Sequence, residues 1–292
     1  VRFQVGPLLG QGNKGEKENH TGSLFQNTNR PKGHKGVLFS SIPFLFMKLR
    51  DVMTALETIA PFDGAEEWDN AGLQVGDPGS DVHTILVALD PSYEVIRSAA
   101  RLKTDLILTH HPLMLRPLSR LDLSRGVAGK LAMLIRGGMN LVSMHTNLDK
   151  APGGVADELA ARLGLSGVTS HGVLRTGTLG KKTPLREWTR GLPFPACRIC
   201  DAGPEVFMVA ACPGSGMEYW QKARELGCDT MVTGDVRYHA ALEALEDGMN
   251  VVDLGHFGTE EIIIKPLAAR LRRELKGVAV RAHRGRDVFS SL

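Results

Sequence analysis

His110 and His111 stand side by side at the end of the apolar run Leu106-Ile107-Leu108-Thr109. Adjacent side chains diverge, so two neighbouring imidazoles do not easily chelate one ion. They can serve two ions about 3.5–4 Å apart, the spacing of two-metal hydrolytic sites. Two further clusters have the same build. Leu141-Val142-Ser143-Met144 leads to His145 with Asp149 four residues on, and Val251-Val252-Asp253-Leu254-Gly255 leads to His256 with Glu260 four residues on. A lone His at a strand end is more often structural than ligating. Three such ends, with one doubled His and two carboxylates, reverse that balance. Imidazole with carboxylate suits zinc, iron, manganese or nickel, and ligand type does not choose among them. Glu260 is expected in the first turn of a helix, where the dipole favours an acid in any case. Asp149 precedes Pro152-Gly153-Gly154, so a turn or cap role competes with ligation there.

Other residues carry weaker signals. Asn70 and Asp77 lie in a Gly-bracketed loop and could face substrate or simply close a turn. His239 opens a helix and could reach a cavity or the surface. Pro213-Gly214-Ser215-Gly216 could cradle an anion through backbone N–H groups. Cys197-Arg198-Ile199-Cys200 is a lone CxxC; Cys212 and Cys228 form no second close pair, so a four-cysteine zinc site is not indicated. Ordinary reduced cysteines of a cytoplasmic protein are the expectation.

The elements that must position these residues alternate along the chain. Leu49, Val52, Met53, Leu56 and Ile59 have helical spacing. Then come a strand at Ile85–Asp90 and a helix at Ser92–Leu102, a strand at Leu106–Thr109 and a helix at Ala128–Arg136, and a strand at Leu141–His145 with a helix at Gly154–Leu163. After a less regular stretch follow strand Val206–Ala211, helix Met217–Leu226, strand Thr230–Thr233, helix Tyr238–Glu246, strand Asn250–Leu254 and a long helix Glu260–Lys276. Short apolar strands alternating with amphipathic helices predict an α/β fold with mostly parallel sheets covered on both faces. Ligands in such folds gather beyond the carboxyl ends of strands, where His110, His145 and His256 are expected.

With 292 residues, 42% hydrophobic and 23% charged, the chain can bury a large core. No apolar stretch approaches the roughly 20 residues of a membrane span. Of the net charge of +3, residues 1–46 hold +4, leaving −1 for the rest, so the body does not advertise a nucleic-acid surface. Arg270, Arg272, Arg273, Arg281, Arg284 and Arg286 read as a solvated helix face and strand end. Residues 1–46 are rich in Gly, Asn and Lys and lack Asp. They are read as a disordered extension, with the native start at Met47.

Taken in order, Trp68-Asp69-Asn70-Ala71-Gly72-Leu73-Gln74-Val75-Gly76-Asp77, Ile85–Asp90, Leu108-Thr109-His110-His111-Pro112, His145-Thr146-Asn147-Leu148-Asp149, Thr233-Gly234-Asp235 with His239, and Gly255-His256-Phe257-Gly258-Thr259-Glu260 closely resemble the Nif-three-like dinuclear-metal family. Its members are often named GTP cyclohydrolase I type 2 homologues, and the resemblance covers nearly everything from Met47 onward. It implies two linked α/β lobes and a toroidal homohexamer with its metal pairs facing an internal cavity. By position it makes His110, His111, Asp149, His256 and Glu260 the ligands of two divalent ions, Glu260 bridging, with His145 orienting a ligand or water beside them. Two departures appear: Leu113-Met114-Leu115 follows His-His-Pro where the family usually has an aromatic, and Asp235 stands where it tends to have Glu. The segment from His171 to Glu205 is too short for the domain that many members carry in mid-chain. The function implied is metal-dependent hydrolysis of a small molecule, with the imidazole ring of GTP, opened with loss of formate, as the target the family name suggests. A non-catalytic metal-holding ring or partner-binding protein is the alternative.

Overall fold

In the computed structural model of the chain, residues 46–194, 197–203 and 205–290 are described. All but the last residue of the extension expected over 1–46 therefore lies outside the described residues. In chain order the elements are Met47–Lys48 (β1), Leu49–Ile59 (α1), Gly72–Val75 (β2), Asp81–Val82 (β3), Thr84–Ala88 (β4), Tyr93–Arg101 (α2), Leu106–Thr109 (β5), Gly126–Arg136 (α3), Asn140–Ser143 (β6), Thr146–Lys150 (α4) and Val155–Arg162 (α5). There follow Ser166–His171 (β7), Leu174–Thr183 (β8), Leu185–Arg190 (α6), Arg198–Cys200 (β9), Val206–Ala211 (β10), Trp220–Glu225 (α7), Thr230–Thr233 (β11), Tyr238–Glu246 (α8), Asn250–Asp253 (β12), His256–Glu260 (α9), Ile264–Glu274 (α10) and Ala279–Ala282 (β13).

Two α/β lobes result. The first is built on a five-stranded sheet in the order β13-β4-β5-β6-β2, parallel throughout except for β2. The second is built on a six-stranded sheet, β7-β8-β10-β11-β12-β9, in which only the β10-β11-β12 centre is parallel. Strands β5, β6, β11 and β12 are buried at every residue, as continuous apolar strands covered on both faces must be. One face of the first sheet packs on α1, α4 and α10, the other on α2 and α3. Helix α1 buries Leu49, Val52, Leu56 and Ile59, the stripe its spacing predicts. Ser92 caps α2 by accepting the Val95 N–H at 3.2 Å. Helix α5 joins the lobes: Val155 belongs to the first core, Leu159 and Leu163 to the second.

The lobes repeat one another at their centres. Asp105, just before β5, accepts the His83 and Thr84 N–H groups, each at 2.9 Å, and Asp229, just before β11, accepts those of Phe207 and Met208 at 2.9 and 2.8 Å. An asparagine then opens the next strand in each lobe, Asn140 against Leu106 and Asn250 against Thr230. After both of these strands a five-residue helix begins at the third position, α4 in one lobe and α9 in the other.

The structure departs from the expected elements in three respects. The less regular stretch contains the β7–β8 hairpin, α6 and the edge strand β9, and these make the second sheet mostly antiparallel. Strand β7 is polar and largely exposed, so it has no apolar period to betray it. Strands β1, β2, β3 and β13 also went unforeseen. The long helix expected at Glu260–Lys276 is instead α9, a 3-10 turn at Glu261–Ile263 and α10. Glu260 therefore ends a short helix rather than starting a long one, and the helix-dipole argument for an acid there does not apply.

Candidate metal centre

The seam between the lobes, at the carboxyl ends of the parallel strands, gathers the expected residues. His110 and His111 follow β5, Asp149 sits on α4 beyond β6, and His256 and Glu260 begin and end α9 beyond β12. His110, Asp149 and Glu260 are buried, while His111 and His256 are partly open to solvent. Every imidazole is held from outside by its Nδ1 atom. His110 Nδ1 donates to the Met144 carbonyl at 2.9 Å, and His111 Nδ1 to Asp90 Oδ1 at 2.7 Å. His145 Nδ1 donates to Asp69 Oδ1 and His256 Nδ1 to Asp235 Oδ2, both at 2.8 Å. A carbonyl and ionised carboxylates only accept, so Nδ1 carries the proton in each ring and Nε2 is left as the inward-facing atom. This is the arrangement in which metal-ligating histidines are normally fixed.

The inward atoms converge on Glu260. His110 Nε2 lies 3.7 Å from Glu260 Oε1 and 3.6 Å from Asp149 Oδ1. His111 Nε2 and His256 Nε2 lie 2.9 and 3.1 Å from Glu260 Oε2, and 3.4 Å from each other. The two oxygens of one carboxylate thus face the two neighbouring histidines separately. His110 Nε2 and Asp149 Oδ1 are buried without a hydrogen-bond partner, a costly state for polar atoms unless something else satisfies them. His111, His256 and Glu260 form one group with donor atoms all within 4.8 Å of one another, and His110, His111 and His145 form a second. A cation fits this donor set, and either group could hold one.

The charges answer each other. Burial alone would raise Glu260, but the three imidazoles that face it, His110, His111 and His256, hold it well below the usual carboxylate range. Burial works against charge on His111, yet Asp90 and Glu260 lift it to about 10. The hydrogen bond to Glu260 is the main cause lifting His256 to about 9. Burial raises Asp149 to about 6, partly offset by His110. In the metal-free chain, protons occupy the positions a cation would take.

Three carboxylates that hold the rings were not singled out as site residues in the sequence. Asp69 accepts from His145 and also from the Thr146 N–H (3.1 Å) and hydroxyl (2.6 Å), capping α4 as it orients the ring. Burial opposes its ionisation, but these bonds hold it well below the carboxylate range. Asp90 and Asp235 share a placement: each is the second residue past the end of its strand, β4 or β11, as His111 is past β5. That common offset was the readable signal. Asp235 adopts φ +52°, a left-handed conformation that Asp tolerates better than most residues.

The remaining candidates stand outside the two metal-capable groups. The Asn70 amide donates to the Met114 carbonyl at 2.5 Å, tying the loop to the segment after His111. Asp77 accepts the Gly79 N–H at 2.8 Å, an ordinary Asx turn. His239 is exposed on α8 beside Tyr238. The glycine turn after β10 is no anion cradle. Its Gly214 and Gly216 N–H groups donate to the Thr259 and Thr233 hydroxyls at 2.9 and 2.8 Å. Its role is close approach: with φ +63° at Gly214, a Cβ there would lie 2.3 Å from Glu260 Oε1. Cys197 and Cys200 are free.

His111 and His256 face a cleft of about 1120 Å³, also lined by Tyr93, Lys130, Phe257 and the segment Gly285–Phe289. No helix among the described residues is long and apolar enough to cross a membrane.

Fold and site together define a two-lobed α/β protein with a histidine–carboxylate cluster able to hold metal at its seam. The Duf34/NIF3 (NGG1p interacting factor 3) family model matches residues 47–285, and the chain belongs to that family. A Clostridium perfringens protein named GTP cyclohydrolase 1 type 2 homolog is 35% identical over 243 residues, 78% of this chain and 93% of that protein. Among solved structures, a Staphylococcus aureus protein superposes with a TM-score of 0.79 at 27% identity, over 84% of this chain and 99% of its own. A Bacillus cereus protein related to NIF3 shares the fold, with a TM-score of 0.80 at 21% identity over 85% of this chain and 99% of its own.

Proposed function

We propose that the chain is a dinuclear metal-dependent hydrolase, with His110, His111, Asp149, His256 and Glu260 as ligands and Glu260 between the two ions. The observation that carries this is the four outward-tethered Nδ1 atoms, which leave the Nε2 atoms of His110, His111 and His256 aimed at a single buried carboxylate. Two divalent ions held there would polarise the bond under attack and supply a water acidic enough to attack it near neutral pH. The protein's part is fixed orientation. Asp90 and Asp235 keep His111 and His256 from turning, and Asp69 keeps His145 at the edge of the cluster. The open cleft over His111 and His256 favours hydrolysis over mere metal holding, because a substrate can reach the cluster from it. The names of the relatives put GTP first among substrates to try, with ring opening and formate release as the reaction, and the cleft is large enough for a nucleotide.

Metal analysis after reconstitution, followed by formate release from GTP and a panel of nucleotides and phosphoesters, tests the reading. Two equivalents of metal per chain and turnover that His111→Ala abolishes without unfolding the protein are expected. One equivalent or fewer contradicts the paired site. Full activity in His111→Ala removes the mechanism, and inactivity of the loaded wild type across the whole panel favours the metal-holding alternative.

A further inference from the structure

Lys130 projects from α3 into the cleft that His111 and His256 face, and its Nζ lies 5.6 Å from the centre of the Tyr93 ring. Among the described residues it makes no ion pair. Burial lowers its pKa, and Asp90 opposes that. A half-buried ammonium with no ion pair and only the more distant charge of Asp90 is costly and is relieved by an anion in contact with it. Facing the same cleft are Phe257 and, from the segment after β13, Val288 and Phe289. Val288 is 90% exposed and Phe289 81%, although large apolar side chains are normally covered. The segment does not hang free. Gly285 donates its N–H to Glu261 Oε1 at 2.9 Å and lies so close to Phe257 that a Cβ would meet the ring at 3.0 Å. Arg286, next along, adds a further cation that likewise makes no ion pair among the described residues, on a wall that also carries Arg198 and the acids Asp90, Glu94, Asp235, Asp253 and Asp287; of these, Asp253 is paired with Arg198, Asp90 with His111 and Asp235 with His256. Arg286, Val288 and Phe289 lie past the range matched by the family model.

The geometry points to a binding site for an organic anion. Its phosphate or carboxylate sits on Lys130, with Arg286 in support, and its flat apolar part lies against Phe257, Val288 and Phe289. The site rests on the hydrolase reading only in that His111 and His256 would be its working end. The anion contact itself needs no metal.

Calorimetric titration of the full chain with phenyl phosphate, benzoate and neutral benzyl alcohol tests it, on metal-loaded protein and again after chelator stripping. One of the anions should bind saturably in both states, at least about tenfold more tightly than the alcohol. Phenyl phosphate as the tighter ligand identifies a phosphate source, benzoate a carboxylate. Lys130→Gln should cost the anion about tenfold and leave the alcohol unchanged, Lys130→Arg should restore most of that affinity, and Phe289→Ala should weaken all three ligands. Wild-type anion affinity should also fall with added NaCl while that of the alcohol does not, a readout needing no variant. Anions that bind no better than the alcohol, or an anion affinity indifferent to both Lys130→Gln and salt, overturn the site. If Lys130 proves irrelevant while two metals still bind, the cleft assignment fails and the hydrolase stands. If no metal binds but the Lys130-dependent anion contact persists, the reverse holds.

Discussion

Metal uptake at the seam, as proposed, would displace protons. In the metal-free chain His111 and His256 titrate at about 10 and about 9, so both are charged at neutral pH. Ligation requires them neutral. Loading zinc at pH 7.5 should therefore release about two protons per chain, read from the dependence of binding heat on buffer ionisation enthalpy. Apparent affinity should climb with pH up to these values and flatten above them. The stability of the metal-free protein should move the other way. Both histidines have folded pKa values above the ordinary 6.5, so their contribution is complete below that pH and is lost as pH rises through 9 to 10. A melting temperature that falls over that window without metal, and not with it, is expected. The carboxylates divide more sharply. Glu260→Gln should weaken both metal equivalents together, because its two oxygens face different histidines, whereas Asp149→Asn should weaken chiefly the one beside His110. Equal and independent losses, measured by titration with a chromophoric chelator, would sink the bridging role.

At the scale of elements, the site was legible where the chain keeps a rule and hidden where tertiary contact decides. The ends of β5, β6 and β12 were readable because each strand carries a short buried apolar stretch (Leu106-Ile107-Leu108, Leu141-Val142, Val251-Val252) that soon gives way to polar residues. Asp90, His111, His145 and Asp235 each stand two residues past a strand end, yet only the histidines read as site residues, since an aspartate at a loop start is commonplace. Asp69 was hidden more deeply, for its partner His145 lies far along the chain. The glycine turn after β10 looked like an anion cradle because backbone N–H groups and small residues say nothing of what approaches them. What approaches is Glu260. Gly214→Ala should accordingly disturb a ligand without touching one. Left-handed backbone and a side-chain clash together should cost about 1–3 kcal/mol, seen as a lower melting temperature, and metal content should fall with it. Normal metal content in a folded Gly214→Ala protein would show that Glu260 can move aside.

Over the whole molecule, the two lobe sheets, the small β1–β3 sheet and every cluster residue lie from Met47 onward. A chain starting at Met47 is therefore expected to fold, bind metal and melt within a few degrees of the full one, and a large drop by calorimetry would show that residues before it support the body. Leu115, Leu121, Leu123 and Ile135 are exposed on the loop after His111 and on α3, a surface suited to self-association. If the homohexamer that the family resemblance implies forms through these side chains, light scattering should find an assembly near six times the 31.6 kDa chain, and Leu121→Glu with Ile135→Glu should reduce it. The repeat at the two lobe centres also went unread. The matching His-x-x-x-acid builds were visible, but the Asp and Asn that open equivalent strands carry no chemistry and so drew no comparison. Because the seam takes donors from both halves, the group built on Glu260 is complete only when both halves are present, whereas His110, His111 and His145 all come from the first. During synthesis those three leave the ribosome long before His256 and Glu260 exist. If metal binds, a nascent chain would therefore already offer one three-donor group, while the group built on Glu260 would have to wait for the late residues to close on the early ones, and the two ions could be drawn from different pools.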